Sequence, residues 1–134
     1  MKKVEHIGIA VKDLRKANQI FEKLFNQLNY KQEELTSEGV ATSFFKVGET
    51  KIELLEATSE NSAIAKFIEK RGEGIHHIAF EVEDIYSEMK RLRAEGFQLI
   101  HQSPKDGVDN KRICFLHPKS TNGVLIELCQ EKAK

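Results

Sequence analysis

Residues 4–14 recur without a gap at 75–85, with His, Ile, Val and Asp in the same order: His6 matches His77, Ile7 matches Ile78, Val11 matches Val82 and Asp13 matches Asp84. Downstream, Lys51-Ile52-Glu53-Leu54-Leu55 is echoed by Leu125-Ile126-Glu127-Leu128-Cys129. A duplication inside so short a chain restricts the fold more than any local propensity does. Each copy must form the same supersecondary unit, and each unit must bury its own apolar face. The repeated segments carry a histidine and a glutamate apiece. Two histidines and two carboxylates are a metal-site composition.

At 134 residues the chain is one domain by length. Hydrophobic content of 40% and charged content of 31% describe an ordinary globular protein. Lysine plus arginine equals aspartate plus glutamate, 21 each, so no overall field draws nucleic acid or a membrane surface. Cys114 and Cys129 lie in apolar, strand-like runs, where a free cysteine behaves as a small hydrophobe. Two of them make no disulfide framework and point to a reducing compartment. The strand pattern starting at Val4 leaves no room for a signal peptide, and no apolar run approaches the ~20 residues of a membrane span. The expectation is a cytoplasmic protein without nucleic-acid or membrane partners.

Alternation marks the first strand, with Ile7, Ile9 and Val11 on one face and His6, Gly8 and Ala10 on the other. Asp13 is placed as a helix N-cap. Leu14, Ala17, Phe21, Leu24, Phe25 and Leu28 then recur at helical spacing, predicting an amphipathic helix to about Leu28. Strands are predicted at 30–35, 41–47 and 51–56, with turns at Gly39 and at Gly48-Glu49. The second half repeats the order: a strand over 75–82, a helix capped by Asp84 with Ile85, Met89 and Leu92 as its stripe, and a stop at Gly96. Strands follow at 97–100, 112–116 and 124–129. Between the halves, Ala63, Ile64, Phe67 and Ile68 sit at helical spacing, and Gly72 and Gly74 lead into the second copy. Each half reads β-α-β-β-β. The predicted fold is α+β: a single domain over 1–134, with one βαβββ module at about 4–56 and the other at about 75–130. The two together form a curved mixed sheet with helices outside and a metal-binding cleft inside.

Parity directs the polar side chains. His6 and His77 oppose the apolar sets that should lie under the helices, and Glu53 and Glu127 likewise oppose Ile52, Leu54, Ile126 and Leu128. All four therefore project from the concave kind of face. Gly8 and Ala79, two residues beyond each histidine, are small enough to leave space for a ligand. Two imidazoles and two carboxylates suit a borderline divalent ion, Co²⁺ first, with Zn²⁺, Ni²⁺ or Mn²⁺ as alternatives, and do not suit Ca²⁺. A single strand histidine is more often structural than a ligand, and a strand glutamate is commonly just solvated. The duplication lifts the set above that background. His76 has core-side parity and reads as structural, His101 as a solvated loop residue, and His117 as a turn residue beside the cleft. Residues 102–107 read as a flexible loop.

In these stretches the chain resembles the vicinal oxygen chelate superfamily of glyoxalase-like proteins, and within it most closely the methylmalonyl-CoA epimerase family, over nearly everything from 4 to 131. The resemblance is carried by Glu5-His6-Ile7-Gly8-Ile9-Ala10-Val11, by Thr50-Lys51-Ile52-Glu53-Leu54-Leu55-Glu56, by Ile64-Ala65-Lys66-Phe67-Ile68 and by Gly74-Ile75-His76-His77-Ile78-Ala79-Phe80-Glu81-Val82. Most specific is the stretch from Phe115-Leu116-His117-Pro118-Lys119-Ser120 through Thr121-Asn122-Gly123-Val124 to Glu127-Leu128. It implies metal ligands at His6, at His77 (the second of the His pair) and at Glu127, with Glu53 at the remaining position, where members carry Gln or Glu. The chain departs from the family pattern at three places. Thr42 stands where some members place a non-ligand glutamate that acts as a base. Asn61-Ser62-Ala63-Ile64 lacks the Asp and Pro often seen there, and Asn110 stands where a glycine is usual.

The activity that the resemblance implies is metal-dependent epimerisation of (2R)- and (2S)-methylmalonyl-CoA by 1,1-proton transfer through a metal-stabilised enolate. Glu127 is the first candidate acid/base. Glu53 is the candidate for the opposite side, because Thr42 cannot take a proton at neutral pH. Lys119, Ser120 and Lys111 are candidate contacts for the acyl-CoA substrate, on charge grounds. A homodimer and a place in propionate metabolism are further implications. A glyoxalase I-type lyase or isomerase acting on a glutathione hemithioacetal would use the same four residues. A metal-free binding protein on the same fold would have no need of them.

Overall fold

The computed structural model describes residues 1–133. Strand β1 (Lys3–Ala10) leads into helix α1 (Leu14–Phe25), followed by strands β2 (Lys31–Leu35), β3 (Val40–Val47) and β4 (Thr50–Ala57) and helix α2 (Ala63–Arg71). Then come β5 (Gly74–Glu81), α3 (Ile85–Ala94), β6 (Lys105–Asp106), β7 (Lys111–Leu116) and β8 (Ile126–Glu131). The strands hydrogen-bond in the order β2-β3-β4-β1-β5-β8-β7-β6, an eight-stranded mixed sheet of the α+β class. No helix among the described residues is long and apolar enough to cross a membrane. By internal contacts the chain divides into two compact units, one of residues His6–His76 and the other of Met1–Glu5 with the chain from His77 onward.

In the His6–His76 unit, β1 runs parallel to β4, while β3 is antiparallel to both β4 and β2. Helix α1 packs Leu14 and Ala17 on Val11, Phe45 and Leu54, with Phe21 and Phe25 alongside. The apolar parity of β1 and β4 thus lies under α1, as alternation requires. On the other face, Ile64, Phe67 and Ile68 of α2 cover Ala10, Val40 and Leu55. Asp13 caps α1 by accepting from Lys16 N at 3.2 Å. The helix stops at Phe25, short of the predicted end. The Asn26 N–H makes the last helical bond, to Glu22 O, but its left-handed conformation (φ 54°) turns Gln27 N back to the same carbonyl at 3.2 Å, which ends the helix. Of the predicted stripe, Leu28 lies beyond the helix and is 76% exposed, and Leu24, inside it, is 68% exposed.

In the other unit β5 runs parallel to β8, and β7 is antiparallel to β8 and β6. Ile85, Met89 and Leu92 of α3 pack with Val82, Cys114, Leu116 and Leu128. Asp84 caps α3. The Ser87 hydroxyl, first, and then the Ser87 amide hold its carboxyl below the ordinary value against desolvation, with the Tyr86 amide adding to the lowering. Burial pushes the Cys114 thiol up, so it packs as a neutral group. The strand predicted at 97–100 is reduced to a single bridge, Leu99 to Leu116. Arg93 Nη2 donates to the carbonyls of His101 and Gln102 at 3.3 and 2.8 Å, and so draws the chain toward α3 before a ladder can extend. The short edge strand forms instead at β6, inside the stretch predicted as a loop.

Candidate metal and active site

The four predicted ligands fall into two like pairs because the two strand pairings share one register. Gly8 of β1 lies opposite Glu53 of β4, and Ala79 of β5 lies opposite Glu127 of β8. Each histidine sits two residues before that small residue, on the same face, so each imidazole stands beside the glutamate of the neighbouring parallel strand. In the first pair His6 Nδ1 lies 3.2 Å from Glu53 Oε2, and in the second His77 Nε2 lies 3.2 Å from Glu127 Oε1. All four side chains are buried, with Glu53 2% and Glu127 4% exposed. The Phe115 ring meets the His77 ring edge-on, with centroids 5.6 Å apart at 87°, and fixes the plane of that imidazole.

These pairs fit a divalent cation on two counts. Two ligands bound to one ion at ~2.1 Å stand roughly 3.0 to 3.4 Å apart, depending on the coordination angle. Each imidazole–carboxylate pair is already held at such a spacing. Buried carboxylates also demand a compensating positive charge, and a metal ion meets that demand with neutral imidazoles as co-ligands. Among the described residues, His6 with Glu53 in one unit and His77 with Glu127 in the other supply the buried imidazole and carboxylate donors such an ion takes.

The remaining candidates separate by environment. Lys119 is exposed on the one-turn 3₁₀ helix Pro118–Ser120, and the Ser120 hydroxyl accepts from Gln98 N at 2.9 Å. Lys111 is buried, and its ammonium lies 4.0 Å from Glu5 Oε2, so it serves as the partner of a buried carboxylate. His117 Nδ1 accepts from Lys119 N at 3.1 Å and caps that 3₁₀ turn, the turn role read from the sequence. His101 is tied down rather than solvated: its Nδ1 accepts from Phe115 N at 3.5 Å and its ring meets the Phe115 ring. The half-buried His76 ring packs edge-on against Phe67. Ala79 is wholly buried and packs with Ile113, Cys129 and Phe115, so its small size serves packing in an apolar cluster.

Sequence reasoning missed three features. Glu5 has the apolar parity of β1, and a charge at such a position signals a buried partner, here Lys111. Phe115 carried no sequence signal, since its contact with His77 crosses from β7 to β5. The third feature joins each helix to its sheet: Leu14 N, at the start of α1, donates to Glu56 Oε1 at 2.6 Å, and Ile85 N, at the start of α3, donates to Gln130 Oε1 at 2.7 Å. The aligned repeats extend to Glu56 and Gln130, so the signal was present.

Paired βαβββ units with a histidine and a glutamate on matching strands define a class of protein, and the chain belongs to the Glyoxalase/Bleomycin resistance protein/Dioxygenase superfamily, whose family model matches residues 5–115. Within that class its relatives include acyl-CoA epimerases. It is 42% identical to the ethylmalonyl-CoA/methylmalonyl-CoA epimerase of Cereibacter sphaeroides over 96% of this chain and 97% of that one. A variant of Streptomyces coelicolor methylmalonyl-CoA epimerase in complex with 2-nitronate-propionyl-CoA superposes with a TM-score of 0.94 at 34% identity, covering 99% of this chain and 96% of that one. A methylmalonyl-CoA epimerase in complex with methylmalonyl-CoA and NH4+ matches at the same TM-score of 0.94 and 34% identity, over 99% and 96% of the two chains.

Proposed function

We propose that this chain is a metal-dependent epimerase that interconverts (2R)- and (2S)-methylmalonyl-CoA, working as a single domain of two βαβββ modules (about 4–56 and 75–130). The observation that carries the reading is the repeated buried His–Glu pair, each held at 3.2 Å by the same strand register, in a chain whose relatives include epimerases of this substrate class.

His6, Glu53, His77 and Glu127 are the proposed ligands of one divalent ion, Co²⁺ before Zn²⁺, Ni²⁺ or Mn²⁺. What the ion supplies when bound is Lewis-acid stabilisation, worth several kcal/mol, of the negative charge that builds on substrate oxygens as the α-proton leaves. The chain itself must move the proton, which requires an acid/base on each side of the α-carbon. Glu127 takes the α-proton onto its carboxylate, and Glu53 delivers a proton to the opposite face. The return reaction runs the same two transfers backwards. Groups positioned in this way contribute typically ~10²–10⁴-fold each. Lys119, exposed, and Ser120 beside it are the proposed contacts for the CoA moiety. Lys111, held against Glu5, is assigned to that pair and not to a phosphate. A cytoplasmic homodimer completes the reading.

The test is deuterium wash-in at the α-carbon together with stereochemical inversion of methylmalonyl-CoA by metal-reconstituted protein, with a glutathione hemithioacetal as the competing substrate. Turnover of the thioester alone is the expected result. Glu53→Gln, which keeps a ligand oxygen but no proton-accepting carboxylate, should abolish at least ~10²-fold of that turnover while metal content stays at the wild-type level. Undiminished turnover in Glu53→Gln would remove Glu53 from the acid/base pair.

A further inference from the structure

Thr42, in the middle of β3, is fully buried, and its Oγ1 has no hydrogen-bond partner among the described residues. Its neighbour Ser43, on the opposite face of the same strand, shows how a buried hydroxyl is ordinarily accommodated. Ser43 Oγ donates to Asn18 Oδ1 at 2.5 Å and accepts from Asn29 Nδ2 at 3.0 Å. The register gives Thr42 a different setting. Thr42 pairs with Leu55 and Phe44 pairs with Glu53 across β3 and β4, so Thr42 shares a face with Glu53 and stands on its diagonal. His6 occupies that face on the other side of β4, since its strand pairs Gly8 with Glu53. On the same face as Thr42, Val40, Leu55 and Ala10 join Ile64 of α2 in one apolar cluster.

A hydroxyl buried without a partner destabilises a fold, and valine has nearly the same shape without that penalty. The unmet hydrogen-bonding capacity therefore lies on the catalytic face, one diagonal from a proposed ligand and proton carrier. We infer that the Thr42 hydroxyl donates a hydrogen bond to an oxygen of the bound acyl thioester, which makes Thr42 a substrate-contacting residue. This inference rests on the proposed epimerase reading. The recipient oxygen belongs to the reacting acyl part of the substrate, because Thr42 adjoins Glu53, and it carries negative charge either as a carboxylate or as the α-proton leaves.

Thr42→Val provides the test, with folding stability and catalysis read on the same samples. Removal of an unsatisfied buried hydroxyl should leave the melting temperature of the ligand-free protein equal or raised. The lost donor should lower kcat/KM for methylmalonyl-CoA about 10- to 100-fold, the range for a hydrogen bond to a charged acceptor, and weaken binding of 2-nitronate-propionyl-CoA in the same direction. Thr42→Ser keeps the donor and should lose less than Thr42→Val. A destabilised Thr42→Val protein would mean that the hydroxyl serves the fold, and would overturn the assignment. So would a stable variant whose kcat/KM and analogue affinity stay within about twofold of wild type. Wild-type protein that does not turn over methylmalonyl-CoA overturns the epimerase reading itself, and the Thr42 assignment with it. An active wild type with an equally active Thr42→Val overturns the Thr42 assignment alone.

Discussion

Glu5 and His6 are adjacent in β1 and point to opposite faces, and each is buried beside a group of complementary chemistry. His6 meets Glu53, whereas Glu5 meets the Lys111 ammonium with only 3% and 8% of the two side chains exposed. Both members of the Glu5–Lys111 pair are buried, which defines what its removal should do. Deleting one buried charge strands the other, typically at ~3–5 kcal/mol, while replacing both with apolar residues of similar size is often neutral or stabilising. Glu5→Met and Lys111→Met should each lower the urea midpoint sharply, and the double variant should recover most or all of the loss. A double variant as unstable as the sum of the two singles would show that the charges act independently.

At the scale of elements, the halves proved readable where both copies agree. The repeat aligns β1 with β5 over their whole lengths, Lys3–Ala10 with Gly74–Glu81. The parity of His6, Glu53, His77 and Glu127 follows from alternation alone, since a one-residue slip would turn each to the other face. Legibility failed where a tertiary contact overrides local pattern. Apolar residues continue past Phe25, yet Asn26 ends α1 by its backbone conformation. Three of the four residues at 97–100 are apolar, yet Arg93 ties down the chain just after them. The Glu56 and Gln130 ties were hidden for another reason: an acceptor for a helix N-terminus was sought at the preceding cap, while the second acceptor comes from the neighbouring strand. Glu56 joins the end of β4 to the first turn of α1, so it anchors the helix over the same strand that carries Glu53. Glu56→Ala should cost about 1.5–3 kcal/mol, as for loss of a hydrogen bond to a charged group. It should also raise hydrogen exchange at the first turn of α1, without changing the exchange of α3. Equal effects on both helices would mean that Glu56 acts on global stability and not through this tie.

For the whole molecule, the question is whether the two His–Glu pairs serve one ion or one each. A lone imidazole and a lone carboxylate make a poor site, since protein zinc centres hold three or four protein ligands. Two independent pairs would therefore bind weakly and to different extents, whereas a shared ion would require all four side chains at once. The proposed function commits the chain to the shared ion. Native mass spectrometry of reconstituted protein should then find one Co²⁺ or Zn²⁺ per chain. His6→Ala and His77→Ala, substitutions in opposite halves, should each abolish tight binding and not reduce the stoichiometry from two to one. Binding of an ion to the folded chain alone adds RT ln(1 + [M]/Kd), about 4 kcal/mol at a thousandfold excess over Kd. Chelation should accordingly lower the melting temperature of wild type, and should leave that of either histidine variant where it was. Two ions per chain, or a chelation effect that survives in one variant and not in the other, would assign each pair its own site and dissolve the shared centre on which the proton transfer depends.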